Sequence, residues 1–123
     1  MAKTNPSWAS VEMMGYAYYS DKGYRILISL VDNSIYNFVA EKSGVFLRVN
    51  VVQAFINDKS KPNSWAVSRA ATTLTSHDYH SKIEDMLDIY LVWLPNVSKF
   101  IELDADFFKG TNSKKKLIPK ALL

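Results

Sequence analysis

The chain has 123 residues, 48% of them hydrophobic and 13% aromatic, enough to bury one core but not two. That composition excludes a disordered chain, and the lack of cysteine excludes both a disulfide framework and a thiolate metal site. The net charge of +3 is unevenly spread: residues 1–108 carry 10 Lys/Arg against 12 Asp/Glu, while residues 109–123 carry five lysines and no acid.

The first eight residues are polar and include Pro6, with no apolar run behind a basic start, so no signal peptide is expected. No apolar run approaches the roughly 20 residues of a membrane span. The spacing of Trp8, Val11, Met14, Gly15, Tyr18 and Tyr19 predicts a helix over 6–20, capped by Ser7 and stopped before Gly23. Three strands follow, at 24–31, 35–40 and 45–53, joined by turns at 32–34 and 41–44. Residues 59–64 read as a loop and 65–69 as a short strand, 70–80 give the weakest signal, and 81–86 add a turn of helix. A strand at 88–94, a turn at Pro95-Asn96, a strand at 99–103 and a short helix at 104–108 complete the body. The lysine-rich remainder is expected to be a mobile tail unless Leu117, Ile118, Leu122 and Leu123 dock. The class is α+β: a single domain over 1–108, with an N-terminal helix, a β-meander and further strands in one main mixed sheet, followed by a basic tail over 109–123.

Few residues carry recognisable chemistry on their own. His77 and His80 form an HxxH pair, but no second His or Cys cluster exists to complete a zinc site. The chain has no nucleophile elbow, and its four glycines are never paired into a phosphate loop. Tyr16, Tyr18, Tyr19 and Tyr24 suit either base stacking or a helix–sheet core. The C-terminal lysines suit either phosphate contacts or a solvated tail.

Several pieces gain meaning from their order. Glu12 lies on the first helix, Gly23 stands before Tyr24, and Tyr36-Asn37-Phe38-Val39 falls on the second strand. Ser43 to Val52 (SGVFLRVNVV) spans the end of the turn and most of the third strand, followed by EDMLDIYLVW at 84–93 and FIELDADFFKG at 100–110. This collinear set resembles the compact PD-(D/E)XK endonucleases, in particular those related to intron-encoded homing endonucleases and archaeal Holliday-junction resolvases. The resemblance implies a restriction-endonuclease-like core and a site in which carboxylates hold one or two divalent cations beside a lysine. The family's Asp position is Asn37 here, its third-strand Glu, Asp or Gln position is Asn50, and its Lys position is Val52; only Glu12 keeps an acid. Alternation places Arg48, Asn50 and Val52 on one face. The resemblance therefore implies no intact catalytic set and no metal or other cofactor, with magnesium entering only if the acids have moved to Asp32, Glu41 or Asp88. Asn37 and Asn50 also suit purely structural hydrogen bonds, to each other or to the backbone. Glu12 suits a helix surface or a pairing with Arg48.

Two function classes follow. One is a DNA-binding relative of nucleases that no longer cuts, contacting phosphates through Lys59, Lys61, Arg69, Lys109, Lys114, Lys115, Lys116 and Lys120. The slightly acidic body counts against it. The other is a phage or mobile-element factor acting on a host protein, with Leu117, Ile118, Leu122 and Leu123 as its handle. An active endonuclease with a relocated site stands third. The resemblance implies a homo-oligomer, and the lack of cysteine fits a cytoplasmic setting.

Overall fold

The computed structural model describes residues 7–28, 35–70, 86–110 and 113–123. The expected turn at 32–34, the end of the first strand beyond residue 28, the weak segment 71–80 and the helical turn over 81–85 lie outside the described residues, as do Asp32, His77 and His80.

Helix α1 (Trp8–Ser20) starts where Ser7 is extended and its Oγ accepts from the Ser10 N–H at 3.2 Å, satisfying one of the donors that a helix start leaves open. Its exit turn closes on Gly23, whose φ of +89° disfavours any residue with a Cβ. Val11, Gly15 and Tyr19, each one turn apart, form the buried stripe, and Trp8 remains exposed.

The strands, in chain order, are β1 (Arg25–Ile28), β2 (Phe38–Lys42), β3 (Val45–Gln53), β4 (Phe55–Ile56), β5 (Trp65–Ser68), β6 (Ile89–Leu94), β7 (Lys99–Asp104) and β8 (Lys115–Leu117). The main sheet has the order β1-β2-β3-β6-β7; it is antiparallel except where β3 runs parallel to β6 with Val49 opposite Ile89. This is the mixed sheet of the expected α+β class. A second sheet, β4-β5-β8, was not expected. It arises because the chain leaves β3 at Ala54, whose N–H still reaches the Trp93 carbonyl at 2.9 Å, and continues directly into β4.

Alternation along β3 explains the layering. Val49 and Val51 are fully buried against α1, in a core with Val11, Tyr19, Phe38 and Leu91. Val52 points the other way and packs on a second core that includes Trp65, Val67, Tyr90, Val92 and Phe108. The main sheet is thus covered by the helix on one face and by the small sheet on the other.

Two boundaries differ from expectation. Strand β2 begins at Phe38 and takes in Glu41 and Lys42, because the turn is only two residues long. Ser43 and Gly44 both have positive φ, 54° and 82°, the pattern of a tight hairpin that matches strand twist. The expected tail is also structured: Lys115–Leu117 pairs antiparallel with β5, Ile118 is buried, and Lys120–Leu122 forms a 3-10 turn.

Candidate functional site

Asn37 and Asn50 meet at the inner end of the β2–β3 ladder, where β2 has stopped pairing regularly. The Asn37 N–H donates to the Val49 carbonyl at 2.8 Å, although Phe38 is the residue in register with Val49. Two residues of one strand therefore address one of the other, the arrangement of a β-bulge. Beyond it the side chains take over from the ladder. Asn37 Oδ1 accepts from the Val51 N–H at 2.6 Å, and Asn50 Nδ2 donates to the Ile35 carbonyl at 2.7 Å. The asparagines bond to the backbone, not to each other. Asn50 Oδ1 is buried and has no hydrogen-bond partner among the described residues.

Glu12 is half-buried on α1, where it accepts from Tyr16 Oη, one turn further on, at 2.8 Å. Burial and this acceptor push the Tyr16 phenol up to about 12. Arg48 pairs not with Glu12 but with Asp88: Nε and Nη2 reach the carboxylate at 3.0 and 3.1 Å, and the Arg48 N–H adds a third bond at 2.8 Å. The pairing follows from the parallel register, which sets residue 48 beside residue 88, one step before Val49 and Ile89. Glu41 is likewise held by Arg25, through Nε at 2.8 Å and Nη2, and by the Gly44 N–H. Two of the three acids considered for a relocated site are thus engaged with arginines.

Hydrogen bonding to Arg48 holds the Asp88 carboxyl below its usual range, so its folded-state pKa is depressed. Its contribution is present above the unfolded value, about pH 4, and fades as pH falls through the lower folded value. The carboxylate is about a third exposed, at 35%, so solvent screening limits the contribution to about 1 kcal/mol or less. Melts of wild type and Asp88→Asn should differ at pH 7 and converge toward pH 2. A constant gap across that range would contradict the assignment.

The expected phosphate-binding residues are spread along the small sheet and its loop. Arg69 donates its N–H to the Lys114 carbonyl at 2.8 Å, bringing those two together, and its guanidinium lies 5.7 Å from the Phe108 ring. Lys116 is committed internally, its Nζ donating to the Phe107 carbonyl at 2.6 Å and resting over that ring. The Lys115 ammonium lies 6.0 Å from the Phe55 ring. Lys59 and Lys109 are exposed, while Lys61 and Lys120 line one cleft with Trp65. That cleft was missed; its only sequence signal is an aromatic residue placed just after a proline-containing basic loop. The tyrosines belong to the helix-side core: Tyr19 is buried edge-on to Tyr18, Tyr24 and Phe38, and its hydroxyl donates to Glu102 at 2.6 Å.

An N-terminal helix on a five-stranded mixed sheet, with the central β3 parallel to β6, places the chain in the α+β class. The particular likeness is to a bacterial homing endonuclease, I-Ssp6803I, with a TM-score of 0.67 and 13% identity over 91% of this chain and 75% of that one. No family model matches the sequence, and no curated protein does. Among the described residues no helix is long and apolar enough to cross a membrane.

Proposed function

We propose that the chain binds DNA without cutting it, as a PD-(D/E)XK-like domain whose metal-holding residues have been replaced. The observation that carries this reading is the state of Asn37 and Asn50: at the positions matching the family's ligands stand two uncharged amides, each tied to the backbone by one hydrogen bond. A hard dication needs several oxygen ligands, carboxylates foremost. Here Asn37 Oδ1 is taken by the Val51 N–H, Asn50 leaves a single neutral oxygen, Val52 offers no donor atom, and Glu12 is engaged by Tyr16, so one amide oxygen stands where a dication needs several charged ligands. These residues do not fit magnesium. Among the described residues no three His, Cys, Asp or Glu side chains converge elsewhere. The bulge beside Asn37 supports a former site, because bulges recur where a sheet re-aims functional side chains.

The homing-endonuclease-like fold supports DNA as the ligand class, and the lysines of the small sheet supply the cations. With the same reading go a homo-oligomer and a cytoplasmic setting. The apolar handle for a host protein is weakened, since Ile118 is buried in the protein's own core and Leu123 packs against it, leaving Leu117 and Leu122 exposed.

A gel-shift titration with duplex and branched DNA, magnesium present and product lengths checked, tests the proposal. The expected result is shifted, uncut DNA. With about four phosphate contacts, affinity should fall roughly 100-fold between 50 and 200 mM salt. Cleavage products would overturn the loss of catalysis, and no shift even at low salt would overturn DNA as the ligand.

A further inference from the structure

The cleft between the loop over 57–64 and the C-terminal segment has a volume of about 630 Å³, within the range of small-ligand sites. Pro62, Leu117 and Pro119 form exposed apolar walls over the buried Trp65 and Ile118, Lys61 and Lys120 supply the charge, and no acidic side chain lines it. None of the ion pairs among the described residues uses either lysine. The walls are also preformed. Ser64 Oγ donates to the Lys61 carbonyl at 2.7 Å, the Asn57 N–H donates to the Ser64 carbonyl at 2.7 Å, and the Asp58 carboxylate accepts from both the N–H and Oγ of Ser60. The Ile118 N–H donates to the Trp65 carbonyl at 2.8 Å, tying the far wall to the near one. A ligand entering here meets a rigid slot and forfeits little to ordering it.

An apolar slot with two cations and no anion fits a flat, weakly polar body carrying negative charge. We infer that this cleft takes one unpaired nucleotide of a DNA strand, its base against the exposed apolar surface of Pro62, Leu117 and Pro119 and its flanking phosphates on Lys61 and Lys120. This rests on the DNA-binding reading and narrows it to strand ends, gaps or branches. A base within a duplex is stacked on both faces and cannot enter such a slot. An extended peptide is the poorer occupant. One adding to the open edge of β8 would meet Lys115 and Lys116, and lysines on an edge strand discourage strand addition.

Binding of a blunt duplex and of the same duplex with a single-stranded overhang would be compared by fluorescence anisotropy, for wild type and for the Lys61→Gln/Lys120→Gln variant. Both lysines are exposed, so the variant is expected to fold as wild type does, with circular dichroism as the check. Wild type should prefer the overhang by about tenfold, and the variant should lose that preference, its affinity for the overhang falling about tenfold further than its affinity for the blunt duplex. Equal binding of the two DNAs by wild type would overturn the inference and leave DNA binding intact, as would a preference that survives in the variant. Binding of neither DNA would overturn the DNA-binding reading and the inference with it. Competition at the cleft by an acidic extended peptide, without any overhang preference, would replace the nucleotide with a protein ligand.

Discussion

Gly15→Leu is expected to destabilise the fold by about 2–3 kcal/mol, whereas Gly15→Ala should lie within about 1 kcal/mol of wild type. Gly15 sits in the middle of the buried stripe of α1, where the helix crosses the two central parallel strands. A Cβ there would stand 3.1 Å from Val51 Cγ2 and 3.3 Å from Leu91 Cδ2, with the Phe38 ring at 3.6 Å. Val51, Leu91 and Phe38 are fully buried, so they have little room to yield. For alanine, a gain of about 1 kcal/mol in helix propensity offsets a contact that must relax by a few tenths of an ångström. Leucine adds three further carbons with nowhere to go, which forces the helix off the sheet or its neighbours out of their rotamers. The melting temperature of Gly15→Leu should fall by roughly 10 °C, measured by circular dichroism against the alanine variant. A leucine variant as stable as alanine would mean that α1 does not lie on β3 and β6 through Gly15.

What could be read from the sequence depended on whether the signal was local. Strand β3 was legible to the residue because VFLRVNVVQ is rich in β-formers and follows a glycine turn. β2 was shifted because its start depends on a bulge and its end on two residues adopting positive φ, neither of which shows as a composition change. β8 was invisible: Lys115–Leu117 has no strand pattern, and it is a strand only because β5 offers a partner edge. The parallel pairing of β3 with β6 joins residues about 40 positions apart, and no local pattern announces it. The Arg48–Asp88 pair is a product of that register, which is why Glu12 looked an equally good partner for Arg48. That Asn37 and Asn50 are able to bond to the backbone was legible from their residue type, and both do so. Which amide accepts and which donates could not be read, because that depends on where the Val51 N–H and the Ile35 carbonyl come to lie.

That difference between acceptor and donor yields the second large effect. Asn37→Asp and Asn50→Asp are the same chemical change at adjoining positions, yet they should behave oppositely. At position 37 the side-chain oxygen accepts from the Val51 N–H, and a carboxylate accepts at least as well, so the cost should be about 1 kcal/mol or less. At position 50 the amide nitrogen donates to the Ile35 carbonyl while Oδ1 is already buried without a partner. A carboxylate there would set two oxygens against each other, lose the donor and bury charge, costing about 2–3 kcal/mol or more. The aspartate's folded-state pKa would therefore rise above its unfolded value near 4, so the penalty is small at low pH, where the protonated acid can still donate, and grows as pH climbs through that unfolded value. Urea unfolding of both variants between pH 3 and pH 7, with and without magnesium, separates the possibilities. A pH-dependent loss confined to Asn50→Asp and indifferent to magnesium is the expected outcome, and it would make these asparagines splices at the end of a ladder. If magnesium instead restored the stability of Asn50→Asp, a cation could be held there after one substitution, and the proposal that this site has lost its fit for metal would fail.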